Sequence, residues 1–155
     1  MKYLLTLFAL IGVLFAGSIT ANDYYGKQKV VYHINGDNGQ AQAGALRNIQ
    51  NHINAVGKEN LDLKVVMHGN GLTLLLPPDA VEGTKFKVGN ATDEMQARIS
   101  GLKNQGIAFQ ICANTLKGKN VKLDALYDAA ESDVVPSGVA ELSRLQQMGY
   151  TYVKP

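Results

Sequence analysis

Ile107-Ala108-Phe109-Gln110-Ile111-Cys112 is a short apolar run that stops on the only cysteine of the chain. A run of four to eight apolar residues bounded by turn residues reads as a strand buried on both faces. Gly106 precedes it, and Asn114-Thr115-Leu116 beyond it can open a helical turn. Repetition of such strand–helix units decides the fold.

Upstream, Lys29-Val30-Val31-Tyr32-His33-Ile34 is a β-branched run that stops at Asn35-Gly36-Asp37-Asn38-Gly39. A helix follows, with Ala41, Ala45, Leu46, Ile49, Ile53 and Val56 on one face at 3.6 spacing and Gly57 as its stop. Leu63-Lys64-Val65-Val66-Met67-His68 is a second strand, closed by Gly69-Asn70-Gly71. Leu72 to Leu76 is apolar, helix or strand, and ends at Pro77-Pro78. Residues 77–91 read as an irregular loop, of a length that is usually functional or mobile. A helix is expected over 92–104, with Met95, Ile99 and Leu102 inward.

Downstream of Cys112 the pattern predicts a short helix around 122–130 carrying Leu123, Leu126 and Tyr127. Asp133-Val134-Val135-Pro136 is a fourth short strand. Ser137 caps a last helix, with Val139, Leu142, Leu145 and Met148 on its apolar side. Tyr150-Thr151-Tyr152-Val153 is a fifth strand. Alternation of this kind means right-handed βαβ units, and therefore an α/β fold with a mostly parallel sheet of about five strands between helix layers.

The N-terminus has a different character. Lys2 is followed by an apolar stretch from Tyr3 to Ala16, then by Gly17-Ser18-Ile19-Thr20-Ala21. These are the three regions of a secretory signal peptide, with cleavage after Ala21. The apolar run is short of the ~20 residues a membrane span needs. An uncleaved N-terminal anchor is the alternative, and in either case the body lies outside the cytoplasm, periplasmic or secreted. Residues 1–21 are set aside as signal, and 22–155 form one domain with a sizeable core.

The 155 residues hold 15 basic and 13 acidic side chains, a formal net charge of +2. That balance gives no field for nucleic acid or an anionic membrane. There is no CxxC, HExxH, Walker loop or GxSxG elbow. The Asn35–Gly39 segment lacks dinucleotide-loop spacing and reads as a tight turn. Asn90-Ala91-Thr92 fits a glycosylation sequon. No cofactor and no metal-ligand set is expected.

A single cysteine in an exported chain cannot pair within the chain. Cys112 is therefore a free thiol, an intermolecular bridge or a buried apolar filler. The thiolate is the nucleophile, favoured near a helix N-terminus or a cation. Asn114 and Thr115 open the turn after it, and Lys117 and Lys119 are close in sequence. His33, His68 and Cys112 all fall at strand ends, where ligands bind in open parallel sheets. A neutral imidazole, His68 above all, can accept a thiol proton, and a Cys-His-His metal site is a further option. A histidine satisfied by backbone or solvent is the simpler reading.

Four segments resemble the DsrE/DsrF-like family of sulfur-relay proteins: Val65–Gly71, Ile107–Leu116, Val134–Leu142 and Leu145–Pro155. Their order and spacing span most of residues 29–155. The resemblance implies a three-layer α/β/α domain that assembles as a homotrimer or homohexamer. It also implies that sulfane sulfur is carried as a persulfide on a cysteine after a central strand, here Cys112, and passed from a sulfur donor to a thiol acceptor. The residues around it supply the rest of the reading: His68 as the catalytic partner of Cys112, and Asn114, Thr115 and Lys117 as the substrate-binding residues. Relay subunits of the family carry an Arg-Gly pair soon after the cysteine and are cytoplasmic. This chain has Leu116-Lys117-Gly118-Lys119 there and an export signal. The rival reading is a non-catalytic oligomeric binding or assembly module, with Cys112 as a buried core residue.

Overall fold

The computed structural model describes residues 24–155. The signal segment read over residues 1–21 lies outside them. Five strands form one sheet: β1 (Gln28–Ile34), β2 (Leu61–Met67), β3 (Ala108–Cys112), β4 (Val134–Val135) and β5 (Thr151–Val153). Their order is β4-β3-β2-β1-β5, and every neighbouring pair is parallel. The central strands β1 to β3 are the apolar runs, rich in β-branched residues in β1 and β2. Such residues suit a strand buried on both faces, which is what a parallel sheet requires. Four helices are α1 (Gly39–Val56), α2 (Asp93–Lys103), α3 (Ala113–Lys119) and α4 (Gly138–Gln147).

Strand alternation sorts the core into two unequal layers. Val30, Tyr32, Ile34, Val65, Met67, Phe109 and Ile111 face one way, against Leu46 and Ile49 of α1 and Ile99 and Leu102 of α2. Val31 and Val66 face the other way, where only Leu142, Leu145 and Tyr150 join them. The architecture is three-layered, and among the described residues α4 alone covers the thin side. Asn38 caps α1 by accepting the Ala41 N–H at 2.8 Å. Thr92 caps α2 and Ser137 caps α4 in the same way.

Several local expectations change. The apolar stretch after β2 is neither strand nor α-helix: Gly69–Leu74 is a 3-10 helix, and Leu72, Leu74, Leu75 and Leu76 are wholly buried. Its tight path depends on Gly71, where a Cβ would fall 2.0 Å from the Ile34 carbonyl oxygen. The helix expected around 122–130 is reduced to one 3-10 turn, Leu123–Ala125. Its following residues are held by tertiary bonds instead, with the Tyr127 N–H donating to the Leu75 carbonyl at 2.7 Å. On α1 the inward residue at the first turn is Gln42, not Ala41. Gln42 donates to the Gly36 carbonyl at 2.7 Å and to Thr73 Oγ1 at 3.0 Å, so a polar group is buried with partners. On α4, Val139 and Met148 are 64% and 48% exposed rather than inward.

Residues 77–91 remain irregular but are fastened. The Lys85 N–H donates to the Lys119 carbonyl at 2.8 Å, the Asn90 N–H to the Thr73 carbonyl at 2.9 Å, and Phe86 is buried. The Asn90 side-chain amide of the sequon donates to the Asp37 carbonyl at 2.8 Å and to Gln42 Oε1 at 2.9 Å. That nitrogen, which a glycan would require, already serves the fold.

The thin layer has few apolar groups, so each matters. Leu145→Ala is expected to lower unfolding stability by about 2–5 kcal/mol, the usual cost of a buried Leu→Ala cavity. Val139→Ala, at an exposed position one turn or more away, is expected to change it by no more than about 0.5 kcal/mol. Urea unfolding midpoints of the two variants test this.

Candidate functional site

Cys112 is the last residue of β3 and the residue from which α3 starts. It pairs with Val135 of β4. From there the chain turns through Pro136 and Ser137 into α4, so the first residue of α4, Gly138, returns over the end of β3. Two helices therefore begin beside one sulfur. Gly138 makes the approach possible: a Cβ there would lie 2.8 Å from His68 Cβ and 3.3 Å from Cys112 Cβ. Cys112 is 4% exposed, yet it belongs to neither apolar core.

Opposed effects set the ionisation of the thiol. Burial is the largest and pushes the pKa up. Against it act the Thr115 hydroxyl and the backbone N–H groups of Gly138, Thr115 and Asn114. Together they win, and the Cys112 pKa lies below its ordinary value. The sulfur closes no N-cap hydrogen bond of standard geometry, so the N–H groups act on it as oriented dipoles. Thr115 is well set for its part. Its buried Oγ1 accepts the Gly69 N–H at 2.9 Å, which leaves its own proton to donate.

The other residues singled out from the sequence separate. Thr115 is beside the sulfur. Asn114 contributes its backbone N–H, while its side chain is exposed. Lys117 is exposed in the last turn of α3 and is not among the groups acting on the thiol. Lys119 turns away to donate to Asn70 Oδ1 at 2.9 Å.

His68 follows β2, whose Met67 pairs with Ile111 of β3. It thus stands level with Cys112, one strand spacing away, about 4.8 Å. Both point to the α4 side, as do His33, Val31 and Val66. Gln110, also on that side, donates to Glu141 of α4 at 2.9 Å. His68 Nε2 meets His33 Nε2 at 2.7 Å, and His33 Nδ1 meets Tyr152 Oη at 2.6 Å. The ring planes are 25° apart with centroids at 4.7 Å. A 2.7 Å N···N contact is closer than stacked faces permit, so the rings meet edge to edge. No hydrogen bond joins His68 to the thiol among those formed by the described residues. Burial, then His68, then Lys154 lower the His33 pKa to about 4. Burial and Lys154 also lower that of His68. Both rings are neutral at pH 7. An open groove of about 560 Å³ runs past them, lined by His33, His68, Val139, Leu142, Gln146 and Tyr152. Among the described residues no three His, Cys, Asp or Glu side chains converge as metal ligands.

The sequence sets His33 beside His68 and Cys112 at the strand ends, as a proton acceptor or a metal ligand, but does not join it to Tyr152 and leaves Gly138 unmarked. Alternation could have put His33 and His68 on one face. Strand order, which makes β5 the neighbour of β1, has no such local signal.

Two outcomes follow from these ionisations. Thr115→Ala is expected to raise the Cys112 pKa and slow its alkylation at neutral pH roughly tenfold, the worth of one hydrogen bond to a charged group; iodoacetamide kinetics measure it. For His33, the unfolded chain binds a proton near pH 6.5 and the folded chain only near about 4. The unfolded state therefore holds more protons in that window, and stability falls as pH drops from 6.5 toward 4. His33→Asn is expected to flatten that slope in urea midpoints measured against pH.

The family described as DsrE/DsrF-like matches residues 28–155. A solved structure of MTH1491 from Methanobacterium thermoautotrophicum, described as a protein of unknown function, is 27% identical. It superposes with a TM-score of 0.66 over 83% of this chain and 100% of that one. The YchN protein of E. coli is 20% identical, with a TM-score of 0.60 over 83% and 99%, and shares the fold. No curated protein matches the sequence.

Proposed function

The chain belongs to the DsrE/DsrF-like family, and from that premise we propose that it is an exported sulfur-handling protein that carries sulfane sulfur as a persulfide on Cys112. Family membership suggests a sulfur-relay role. The observation that carries the finer reading is the thiol at the carboxyl edge of a parallel sheet, with the Thr115 hydroxyl and the Gly138, Thr115 and Asn114 N–H groups lowering its pKa. Open parallel sheets bind ligands at this edge.

In the proposed reaction the Cys112 thiolate attacks the outer sulfur of a donor such as thiosulfate or a polysulfide. A Cys–S–S bond forms as the donor's S–S bond breaks, and the electron pair leaves with sulfite or a shortened polysulfide. An acceptor thiolate then attacks the outer sulfur of the persulfide and frees Cys112. The groups that favour the thiolate also favour the persulfide anion. His68 accepts or orients the proton, and the exposed Asn114 and Lys117 side chains meet the donor. No cofactor enters the scheme. Export to the periplasm or beyond is supported by the reading of residues 1–21. Assembly as a homotrimer or homohexamer is supported by Val139, Met148 and Tyr152, large apolar groups exposed beside the thin layer.

A second reading has one observation in its favour. Cys112 is only 4% exposed, as expected of a core filler in a non-catalytic binding or assembly module. Intact mass separates the two. After incubation with polysulfide or thiosulfate, the processed protein is expected to gain the mass of one sulfur atom, reversed by a reductant and absent in Cys112→Ser. No gain with any sulfane donor, together with alkylation slower in the native than in the unfolded chain at every pH, establishes the filler.

A further inference from the structure

His33 and Tyr152 have no part in the scheme above, yet both line the groove that His68 also lines and are chained to His68 by bonds of 2.6 and 2.7 Å. We propose that Tyr152, His33 and His68 act as one proton-holding unit for Cys112, with His68 taking the thiol proton and His33 and Tyr152 as its positioning residues. The inference rests on the reading of Cys112 as a sulfur nucleophile.

The contact between the two histidines limits their proton count. At 2.7 Å one Nε2 must donate and the other accept. Two N–H groups cannot face each other at that distance. The pair therefore takes one extra proton and not two. His68 Nδ1 is its free nitrogen, without a hydrogen-bond partner among the described residues. When Nδ1 is protonated, His68 Nε2–H donates to His33 Nε2, and His33 Nδ1–H donates to Tyr152 Oη. Every group in the chain is then satisfied, and charge is drawn from the thiol toward the groove. In the neutral pair the same direction of bonds, ending on Tyr152 Oη as acceptor, leaves His68 Nδ1 bare and ready to accept; with the direction reversed, Nδ1 holds the His68 proton and cannot accept.

The surroundings let the proton return. Lys154 acts on both rings. From α4 the groove receives Val139, Leu142, Ser143 and two glutamines, none of them charged. The charged side chains of α4 are engaged elsewhere, Arg144 Nε and Nη2 donating to Glu141 at 2.8 and 2.6 Å. From β3 the same face carries Gln110 and Cys112. Among the described residues no carboxylate side chain lines the groove to trap an imidazolium. The step balances. The S–H bond breaks and its proton goes to His68 Nδ1. The thiolate pair forms the new S–S bond, the donor's S–S bond breaks, and the departing thiolate or sulfite takes the proton back.

The test reads Cys112 by iodoacetamide alkylation against pH, in wild type, Tyr152→Phe and His33→Asn. Imidazole NMR titrations of wild type and Cys112→Ser accompany it. Tyr152→Phe removes a single oxygen and keeps the ring. Both variants are expected to alkylate about tenfold more slowly near pH 7, a modest part of what positioned acid–base groups supply, and to converge on wild type near pH 10, where the thiol ionises unaided. The His68 resonance is expected to inflect as Cys112 titrates and to lose that inflection in Cys112→Ser. Slowing at every pH is a packing defect and overturns the proposal, as does an unchanged profile or a His68 resonance indifferent to Cys112. Coupled titration in a protein that takes no sulfur from polysulfide leaves the proton unit standing and removes the sulfur chemistry. Equal sulfur loading by wild type and both variants removes the proton unit and leaves the sulfur chemistry.

Discussion

The space left by the missing side chain of Gly138 is the constraint on which the rest of the structure depends. A Cβ there would overlap His68 at 2.8 Å and crowd Cys112 at 3.3 Å. Without it, α4 starts directly on the carboxyl ends of β2 and β3. That start aims the Gly138 N–H at the sulfur, brings Leu142 and Leu145 down on Val31 and Val66, and makes α4 one wall of the groove that His33 and His68 line. One small residue therefore couples the thin core to the chemistry at the sheet edge.

The two faces of the sheet do different work. The thick face holds most of the apolar burial, at roughly 25 cal/mol per Å² the main source of stability. The thin face carries a small apolar core and, toward the strand ends, Gln110, His33, His68 and Cys112. Placing these groups on the thin side keeps them clear of the main core, where an unpaired polar group is costly. Among the described residues it also leaves α4 as the only helix covering them, with Val139 and Met148 exposed at its two ends.

The fold was legible because its signals are local and redundant. The short apolar runs, β-branched in β1 and β2, gave the three central strands, and turn residues and caps set the helix starts at Gly39, Asp93 and Gly138. What failed was decided elsewhere in the chain. Gln42 is inward because Gly36 and Thr73 supply partners for its amide. Leu72–Leu76 has no strand to pair with and coils against the Ile34 carbonyl. Leu123–Tyr127 is shaped by bonds to Leu75 and Ser100 rather than by its own periodicity. Of the site, Cys112, His68 and Thr115 were legible as strand-end and helix-start residues. His33 was legible as a strand-end residue as well, brought to His68 by β1 lying beside β2; Tyr152 joins them through β5 lying beside β1, a long-range choice that no window of sequence contains.

Burial and reactivity pull against each other at Cys112, and the balance is informative. Desolvation alone makes a thiol inert, and it is the largest single effect on this one. A cysteine serving only as filler calls for apolar neighbours. Here the neighbours are a threonine hydroxyl with its acceptor role already filled by the Gly69 N–H, two helix N-termini and an imidazole held in place by a second. Each such group is costly to bury without a partner. The hydroxyl and the N–H groups that converge on the sulfur hold its pKa below the ordinary value despite burial. A shielded but stabilised anion suits a sulfur carrier better than an exposed thiol does, because shielding slows oxidation and non-specific exchange while leaving nucleophilicity to the partner that can reach it.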